Sequence, residues 1–186
     1  MQKRLIIGMS GASGIPIAIE VLRQLKAVAD VESHLVYTRG AELTIDLESE
    51  KKIADIKELA DVVYDNANIG AGPASGTFRT IGMVIVPCSM KTLAGIVSGY
   101  SDNLLLRAAD VTLKERRKLV LVTRECPLGT LHLRNMYEAS QLGAVIIPPV
   151  LSYYNHPNTL DDCTRHIAGK ILDQFGLEPE GMVRWS

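Results

Sequence analysis

Residues 5–14 read Leu-Ile-Ile-Gly-Met-Ser-Gly-Ala-Ser-Gly, a short aliphatic run that passes directly into a turn of glycines and serines. An aliphatic run, a glycine turn and an amphipathic stripe in this order predict a β-strand that leads into an α-helix. Pro16 suits the first helical turn, where the missing N–H leaves no bond unmade. The stripe that follows the turn has apolar side chains at helical spacing: Ile15, Ala18, Ile19, Leu22 and Leu25.

The turn at residues 8–14 favours an anion site. Its glycines are spaced G-x-x-G-x-x-G, so it does not match the G-x-G-x-x-G fingerprint of dinucleotide-binding proteins. The amides at a helix start nevertheless point outward, and the hydroxyls of Ser10 and Ser13 add hydrogen-bond donors. On these residues alone, the alternative is a tight βα turn with an ordinary serine cap.

The alternation of strand and helix continues along the chain. Further aliphatic runs predict strands at residues 34–37, 83–86, 119–122 and 144–147. Apolar residues at helical spacing predict further helices around residues 104–113, 131–142 and 167–175. We therefore predict an α/β fold, a doubly wound parallel sheet with helices on both faces. We expect residues 1–176 to form one domain and residues 177–186 to form a C-terminal arm after Gly176.

The composition narrows the class of protein. The chain has 186 residues and a net charge of −1, which suits one domain and argues against a general polyanion binder. No window reaches the ~18 apolar residues that a membrane span needs. Cys88, Cys126 and Cys163 contain no C-x-x-C pair, so we expect reduced thiols in a cytoplasmic protein. The four histidines lack a metal-binding pattern, and no metal is expected.

Two further polar stretches follow predicted strands. Residues 87–93 read Pro-Cys-Ser-Met-Lys-Thr-Leu, where Ser89 and Thr92 can cap the next helix and Lys91 can face an anion. Arg124 and Glu125 follow the strand at 119–122, a pattern that suits proton transfer or the orientation of a phosphate. The alternative is that these two side chains pair with each other. Because ligands bind beyond the carboxyl ends of parallel strands, the two hydroxyl-rich turns favour a phosphorylated ligand.

Other candidates carry weaker signals. Arg107 and Lys114 are seven residues apart, so they share a helix face and can line a cleft, whereas the cations that follow suit a solvated helix end. Tyr153 and Tyr154 can wall an apolar substrate or pack beneath their loop. Cys126 has no activating partner in the sequence, so we expect an inert thiol in the sense that it does not act as a catalytic nucleophile.

Together these motifs resemble the flavin prenyltransferases of the UbiX type. The resemblance runs in family order from the first strand to the penultimate residue. The matching stretches are GMSGASG (8–14), PASGT (73–77), PCSMKTLA (87–94), RAADVTLKERR (107–117), TRECPL (123–128), YYNHP (153–157), LDQFG (172–176) and RW (184–185).

The resemblance implies a flavodoxin-like Rossmann fold that binds FMN. It implies transfer of a dimethylallyl group from dimethylallyl phosphate to N5 of reduced FMN, followed by ring closure at C6 and without a metal. The product, prenylated FMN, is the cofactor of UbiD-type decarboxylases, which are the implied partners. The family assembles as homododecamers with active sites between subunits.

The resemblance also implies residue roles. Ser13, Glu48, Glu125 and Trp185 are expected to be catalytic. Glu48, Glu125 or the released phosphate is expected to take the C6 proton, and Trp185 is expected to form an aromatic wall. The flavin is expected to contact Ser10, Gly11, Ala12, Ser13, Thr38, Ser89, Met90, Lys91, Thr92 and Arg107. The prenyl phosphate is expected to contact Lys114, Arg124, Tyr154 and Lys170. Lys170 stands where arginine also occurs, which puts bidentate binding of phosphate there in question.

Two other functions remain open at this point. One is an FMN-dependent oxidative decarboxylase of cysteinyl peptides, which predicts a catalytic histidine after an early strand and a P-A-S-A-N-T loop; the loop here reads PASGT at residues 73–77. The other is a non-catalytic flavin carrier of an aromatic-acid decarboxylase system, which does not need the phosphate-binding set. The sequence leaves open whether the donor is a mono- or a diphosphate, although the absence of an aspartate-rich Mg²⁺ motif favours the monophosphate.

Overall fold

The computed structural model describes residues 2–178, which form a parallel β-sheet between two layers of helices. The strands are β1 (Lys3–Met9), β2 (Val31–Tyr37), β3 (Val62–Tyr64), β4 (Gly82–Cys88), β5 (Lys118–Thr123) and β6 (Val145–Ile146). The helices are α1 (Ile15–Ala27), α2 (Arg39–Glu48), α3 (Ile53–Lys57), α4 (Met90–Val97), α5 (Leu104–Lys114), α6 (Thr130–Gln141) and α7 (Leu160–Asp173), with a 3₁₀ turn at Gly72–Ala74.

The strand order is β3-β2-β1-β4-β5-β6, and the paired strands are parallel throughout. The chain winds outward from β1 to β3 and then returns to place β4 on the other side of β1. This reversal is the topological switch point of a doubly wound sheet, where the loops after β1 and β4 separate and leave a crevice. The predicted fold is confirmed, and it places a ligand site at the carboxyl ends of β1 and β4.

Two apolar layers cover the sheet. Helices α1, α2, α3 and α7 pack on one face, where Ile7, Leu22 and Ile171 belong to a single buried cluster. Helices α4, α5 and α6 pack on the other face against a second cluster that includes Ile85, Leu93 and Leu105. Both faces of the central strands are buried, which explains why their sequences are continuous aliphatic runs without polar alternation.

Some elements were not predicted from the sequence. Strand β3 has three residues at the sheet edge, too few to show periodicity. Helix α2 buries Ala41 and Ile45 but exposes Leu43 and Leu47, so its apolar residues do not form one stripe. The glycine-rich segment 69–80 packs against α5 through its 3₁₀ turn. Arg117, which follows α5, donates hydrogen bonds to the carbonyls of Gly76 (2.6 Å) and Phe78 (2.7 Å).

The described chain ends just after α7. Leu177, which was predicted to begin the C-terminal arm, is buried in the cluster beneath α1 and α7. Trp185 and most of the predicted arm lie outside the described residues, so the aromatic wall and the domain boundary stay predictions. Within residues 2–178, no helix is long and apolar enough to cross a membrane.

Candidate functional site

A cleft of about 990 Å³ opens at the carboxyl ends of β1, β2, β4 and β5. Its walls come from the turns after these strands and from α4, α5 and α6. The predicted site residues that line it are Gly11, Thr38, Ser89, Met90, Lys91, Thr92 and Glu125. Seven residues predicted from four separate stretches of sequence therefore meet in one cavity at the switch point.

The turns after β1 and β2 touch through their backbones. A Cβ atom added to Gly11 would lie 2.9 Å from the Cα and carbonyl carbon of Gly40, closer than real Cβ contacts allow. Both glycines line the cleft. Glycine is therefore needed at position 11 because two backbones pass each other there.

Helices α2 and α4 both begin at the cleft. The Thr38 hydroxyl accepts a hydrogen bond from the Ala41 amide (3.1 Å), and the Ser89 hydroxyl accepts one from the Thr92 amide (3.2 Å), so each residue is an N-cap. The amides and the helix dipole make such helix starts favourable for an anion. The side chain of Lys91 adds a positive charge to the α4 end.

Ser10 joins the turns after β1 and β4. Its hydroxyl donates to the Pro87 carbonyl (3.0 Å) and accepts from the Ser89 amide (2.8 Å), and the residue is 1% exposed. The Ser10 amide also donates to the Pro87 carbonyl. The bonds of the Ser10 hydroxyl position Ser89, the cap of α4, and the contact of Ser10 with the flavin stays a prediction.

The start of α1 already holds an anion, which is the carboxylate of Glu48. Its Oε2 accepts hydrogen bonds from the amides of Gly14 (2.9 Å) and Ile15 (3.1 Å). Gly14 has a φ of 117°, a conformation that favours glycine, and it has no side chain with which to cap the helix. The prediction that α1 offers its first amides to a ligand anion is therefore wrong, since Glu48, at the end of α2, supplies the negative charge. Ala12 and Ser13 lie in the same turn, half-buried, immediately before these amides.

We expect the substitution Glu48→Ala to lower the free energy of unfolding by about 0.5–2 kcal/mol, because both amides lose their acceptor. In Glu48→Gln the side-chain carbonyl still accepts both bonds, so the expected loss is about 0.3–1 kcal/mol from the missing charge at the helix dipole. Denaturant unfolding of the two variants measures the difference. Glu50→Ala, two residues away and exposed, is the control; equal stability of Glu48→Ala and Glu50→Ala would contradict the cap.

Arg124 and Glu125 follow β5 on the cleft side. The Arg124 amide donates to the Cys88 carbonyl (3.1 Å), and Glu125 Oε1 accepts from the Cys126 amide (3.0 Å) while its side chain lines the cleft. No ion pair joins Arg124 to Glu125 in the part of the chain that the structure describes. Their mutual pairing, which the sequence left open, is therefore absent between these two residues, and Glu125 lines the cavity.

Comparison with known proteins identifies the family. A family model described as Flavoprotein matches residues 1–168. A probable UbiX-like flavin prenyltransferase from Sedimentibacter hydroxybenzoicus is 56% identical over 182 residues, which cover 98% of this chain and 96% of the relative. The chain belongs to the UbiX-like flavin prenyltransferases.

Solved structures of UbiX-type proteins agree with this assignment. The dodecameric FMN-dependent UbiX-like decarboxylase from Escherichia coli O157:H7 has a TM-score of 0.96 at 50% identity, covering 98% of this chain and 99% of its own. AnUbiX in complex with FMN and dimethylallyl pyrophosphate has a TM-score of 0.97 at 45% identity, covering 100% of this chain and 98% of its own.

Arg107 and Lys114, which the family resemblance assigns to the flavin and to the prenyl phosphate, lie on α5 and do not line the cleft. Arg107 pairs with Asp110 (2.5 Å), and Lys114 pairs with Glu115 (2.8 Å). Leu105 lines the cleft near the start of α5, whereas Lys114 is nine residues further, about 14 Å along the helix axis. Arg107 and Lys114 of one chain therefore do not line its own cleft together, because the helix runs from the carboxyl edge of the sheet to its amino edge; their binding roles stay predictions.

Tyr154 and Lys170, which the family resemblance assigns to the prenyl phosphate, lie at α7, on the opposite face of the sheet from α4 and α6. Lys170 is part of α7, and Tyr154 packs against it. The Tyr154 hydroxyl is 3.2 Å from Nε2 of His166, and Lys170 follows one helical turn later. Helix α7 packs against α1, away from the cleft of the same chain. Within residues 2–178, one chain therefore separates the predicted flavin ligands from Tyr154 and Lys170.

The structure also adds residues that the sequence did not single out. Arg39, Gly40, Asn66 and Asn135 line the cleft. The main-chain carbonyl of Asn66 accepts a hydrogen bond from the Leu104 amide (2.8 Å), and its side-chain oxygen accepts one from the Leu105 amide (2.9 Å). Asn66 therefore also fixes the start of α5. Asn66 lies just after strand β3, which was not predicted. If β3 had been recognised in the sequence, the polar residues after it would have indicated Asn66 as a candidate.

The cysteines differ sharply in their surroundings. Complete burial raises the pKa of the Cys88 thiol to about 12, so this residue is a neutral thiol at pH 7. Cys126 is exposed, and all three cysteines are free. In the described part of the chain, no group of three or more His, Cys, Asp or Glu side chains is placed to hold a metal ion.

We expect iodoacetamide to alkylate Cys126 in the native protein and to leave Cys88 unmodified, because only exposed thiolate reacts. Peptide mass spectrometry after a short incubation at pH 8 measures both sites. A denatured sample, in which both residues should be modified, is the control. Modification of native Cys88 at the rate of Cys126 would show that the end of β4 opens in solution.

Proposed function

We propose that this protein transfers a dimethylallyl group from dimethylallyl phosphate to reduced FMN and releases phosphate. The C–O bond of the donor breaks as flavin N5 bonds to the prenyl carbon and loses its proton. Ring closure then adds one proton to the prenyl double bond and forms a bond to C6, which loses its proton. The identity to UbiX-like flavin prenyltransferases over nearly the whole chain supports this reaction. The structural observation that carries this proposal is the cleft at the switch point, with two capped helix starts and with glycines where the turns after β1 and β2 touch.

The residues of the cleft fit a flavin mononucleotide. The helix starts capped by Thr38 and Ser89 suit its phosphate, and Gly11 and Gly40 leave room for backbone contact. About 990 Å³ is ample for one such molecule. When bound and reduced, FMN supplies the nucleophilic nitrogen. The protein then has to exclude water, orient the donor and accept a proton.

The second set of residues suits the departing phosphate. Lys114, Arg124 and Lys170 supply positive charge, and Tyr154 supplies a hydroxyl, so together they stabilise the negative charge that develops as the C–O bond breaks. Lys170 acts as a point charge rather than as the bidentate donor that arginine would be. Glu125 in the cleft, Glu48 or the released phosphate takes the proton from C6.

A complete site requires more than one copy of the chain. Glu125 faces the cleft, whereas Tyr154 and Lys170 lie beside α7 on the other face of the sheet. Exposed apolar residues suit subunit contacts: Leu43 and Leu47 on α2, and Leu131, Leu133 and Tyr137 on α6. We propose a homododecamer, as in the UbiX-like decarboxylase from Escherichia coli O157:H7, with each site built between subunits.

Co-expression of two inactive variants tests the shared site. If Glu125 and Lys170 of one site come from different copies, mixed assemblies of Glu125→Gln and Lys170→Ala contain some sites with neither change. The mixture should then be more active than either parent. Activity no higher than that of the parents would show that both residues come from the same chain.

Mass spectrometry of the flavin tests the function itself. Anaerobic incubation with reduced FMN and dimethylallyl phosphate should add one C5H8 unit to the flavin. The FMN-dependent peptide decarboxylase would instead release CO2 from a peptide that ends in cysteine, and a carrier would return the flavin unchanged. The same assay with dimethylallyl diphosphate decides between the two donors. Unmodified flavin with both donors would overturn the proposal.

The product suggests where the protein works. We propose that a UbiD-type decarboxylase receives the prenylated FMN, and that both proteins are cytoplasmic, where the free thiols stay reduced. Apo-decarboxylase that gains activity on mixing with the reaction products would support the transfer.

A further inference from the structure

His166 is a buried histidine that no step described above uses. It lies on α7, is 4% exposed, and its ring meets that of Tyr154 edge to face with centroids 5.7 Å apart. Its Nε2 is 3.2 Å from the Tyr154 hydroxyl. Lys170 follows one turn later on the same helix. His166 therefore touches one residue of the proposed phosphate site and neighbours another.

The ring of His166 is neutral at pH 7. Burial lowers its pKa, and the positive charge of Lys170 lowers it further. A neutral imidazole carries one proton, on either Nδ1 or Nε2. The two possibilities give the Tyr154 hydroxyl opposite roles, because Nε2 either donates to the hydroxyl oxygen or accepts its proton.

The surroundings of Nδ1 decide between them. This atom is buried and has no hydrogen-bond partner among residues 2–178. A buried N–H without an acceptor is rarer in proteins than a buried acceptor without a donor. The proton therefore belongs on Nε2, where it is donated to the oxygen of Tyr154. The hydroxyl of Tyr154 then directs its own proton away from His166.

We propose that His166 is a positioning residue for the prenyl donor, which holds the Tyr154 ring and turns the Tyr154 hydroxyl proton toward the phosphate of dimethylallyl phosphate. This inference rests on the proposed function, which assigns Tyr154 and Lys170 to that phosphate. In the opposite tautomer, the Tyr154 hydroxyl would donate its proton to Nε2 of His166. Only the hydroxyl oxygen would then face the phosphate, which needs a donor. Lysine at position 170 attracts the phosphate without fixing its orientation, as a bidentate arginine would. The Tyr154 hydroxyl, aimed by His166, supplies a directional hydrogen bond instead.

Donor binding to the assembled, oxidised FMN-loaded protein tests this role. Isothermal titration with dimethylallyl phosphate is expected to show about tenfold weaker binding for His166→Leu, since a hydrogen bond to a charged group is lost or misdirected. His166→Gln should keep most of the affinity, because its amide N–H can reach the position of Nε2. His166→Asn is polar but too short, and it should resemble His166→Leu. FMN content should stay unchanged in all three.

A double-mutant cycle separates positioning from a general packing role. If His166 acts through the Tyr154 hydroxyl, His166→Leu should cause no further loss in the Tyr154→Phe background. Additive losses, or equal affinity of His166→Leu and wild type, would overturn the inference while leaving the proposed function standing. If His166→Leu does not assemble, the contrast between His166→Gln and His166→Asn decides in its place. Wild-type protein that neither binds nor consumes the donor would overturn the proposed function, and the inference with it.

Discussion

The substitution Glu125→Gln is expected to slow turnover by roughly 10²-fold or more while leaving the binding of both substrates intact. Glutamine has the shape of glutamate, and its carbonyl can still accept the Cys126 amide bond that Glu125 makes, so the loop after β5 should keep its conformation. What the amide cannot do is take up the C6 proton at neutral pH. Stopped-flow measurement of the prenylated flavin under saturating donor gives the rate.

Glu138→Gln is the matched control for this experiment. Glu138 also lines the cleft, from α6, but it pairs with Arg134 (3.5 Å) and has no proposed role in proton transfer. Its variant should keep most of the wild-type rate. A wild-type rate for Glu125→Gln would show that Glu48 or the released phosphate, and not Glu125, accepts the C6 proton. A wild-type rate for Glu48→Gln as well would leave the phosphate as the acceptor.

The central part of the fold could be predicted because its signals are local. Strands β1, β4 and β5 are buried on both faces, so their sequences are aliphatic runs that periodicity recognises. The turns after β1 and β4 carry their polar residues in sequence order, and parallel strands bring these ends to one edge. For this reason the sequence predicts that Gly11 and Ser89, 78 positions apart, lie near one edge of the sheet, and both line the cleft.

The cap on α1 could not be predicted from local sequence. The turn before α1 is typical of an anion-binding helix start, and nothing near it indicates that Glu48 fills this place from 34 residues further along the chain. Ser10 shows the same difficulty. Its hydroxyl could be foreseen as a donor, but the acceptor, the Pro87 carbonyl, depends on how closely β1 and β4 end together.

The distribution of the phosphate-binding residues depends on topology. Lys114 and Arg107 share a helix face in sequence, yet α5 runs antiparallel to the strands and carries Lys114 away from the cleft. Tyr154 and Lys170 lie on the other sheet face because α7 packs on α1. The family resemblance predicts these residues as one group, whereas the fold shows that a single chain keeps them apart.

The substitution Gly11→Ala is expected to weaken FMN binding by about 10- to 100-fold, because its methyl group would meet the Gly40 backbone at 2.9 Å. Backbone atoms cannot rotate away as the end of a side chain can, so the turns after β1 and β2 must move apart, at a cost of about 1–3 kcal/mol. Arg39 and Gly40 begin α2 and line the cleft, and this shift would displace the helix start that suits the flavin phosphate.

Fluorescence titration of FMN into the purified apoprotein measures the loss caused by Gly11→Ala. Gly129→Ala is the matched control, since Gly129 has a φ of −82° and its added Cβ would meet nothing closer than 3.8 Å. The control should bind FMN as wild type does. Unchanged FMN affinity in Gly11→Ala would mean that the two turns separate without disturbing α2, and that the flavin does not depend on their contact. A loss of affinity accompanied by normal thermal stability would instead place the methyl group in the path of the flavin, because the backbone strain would then be absent.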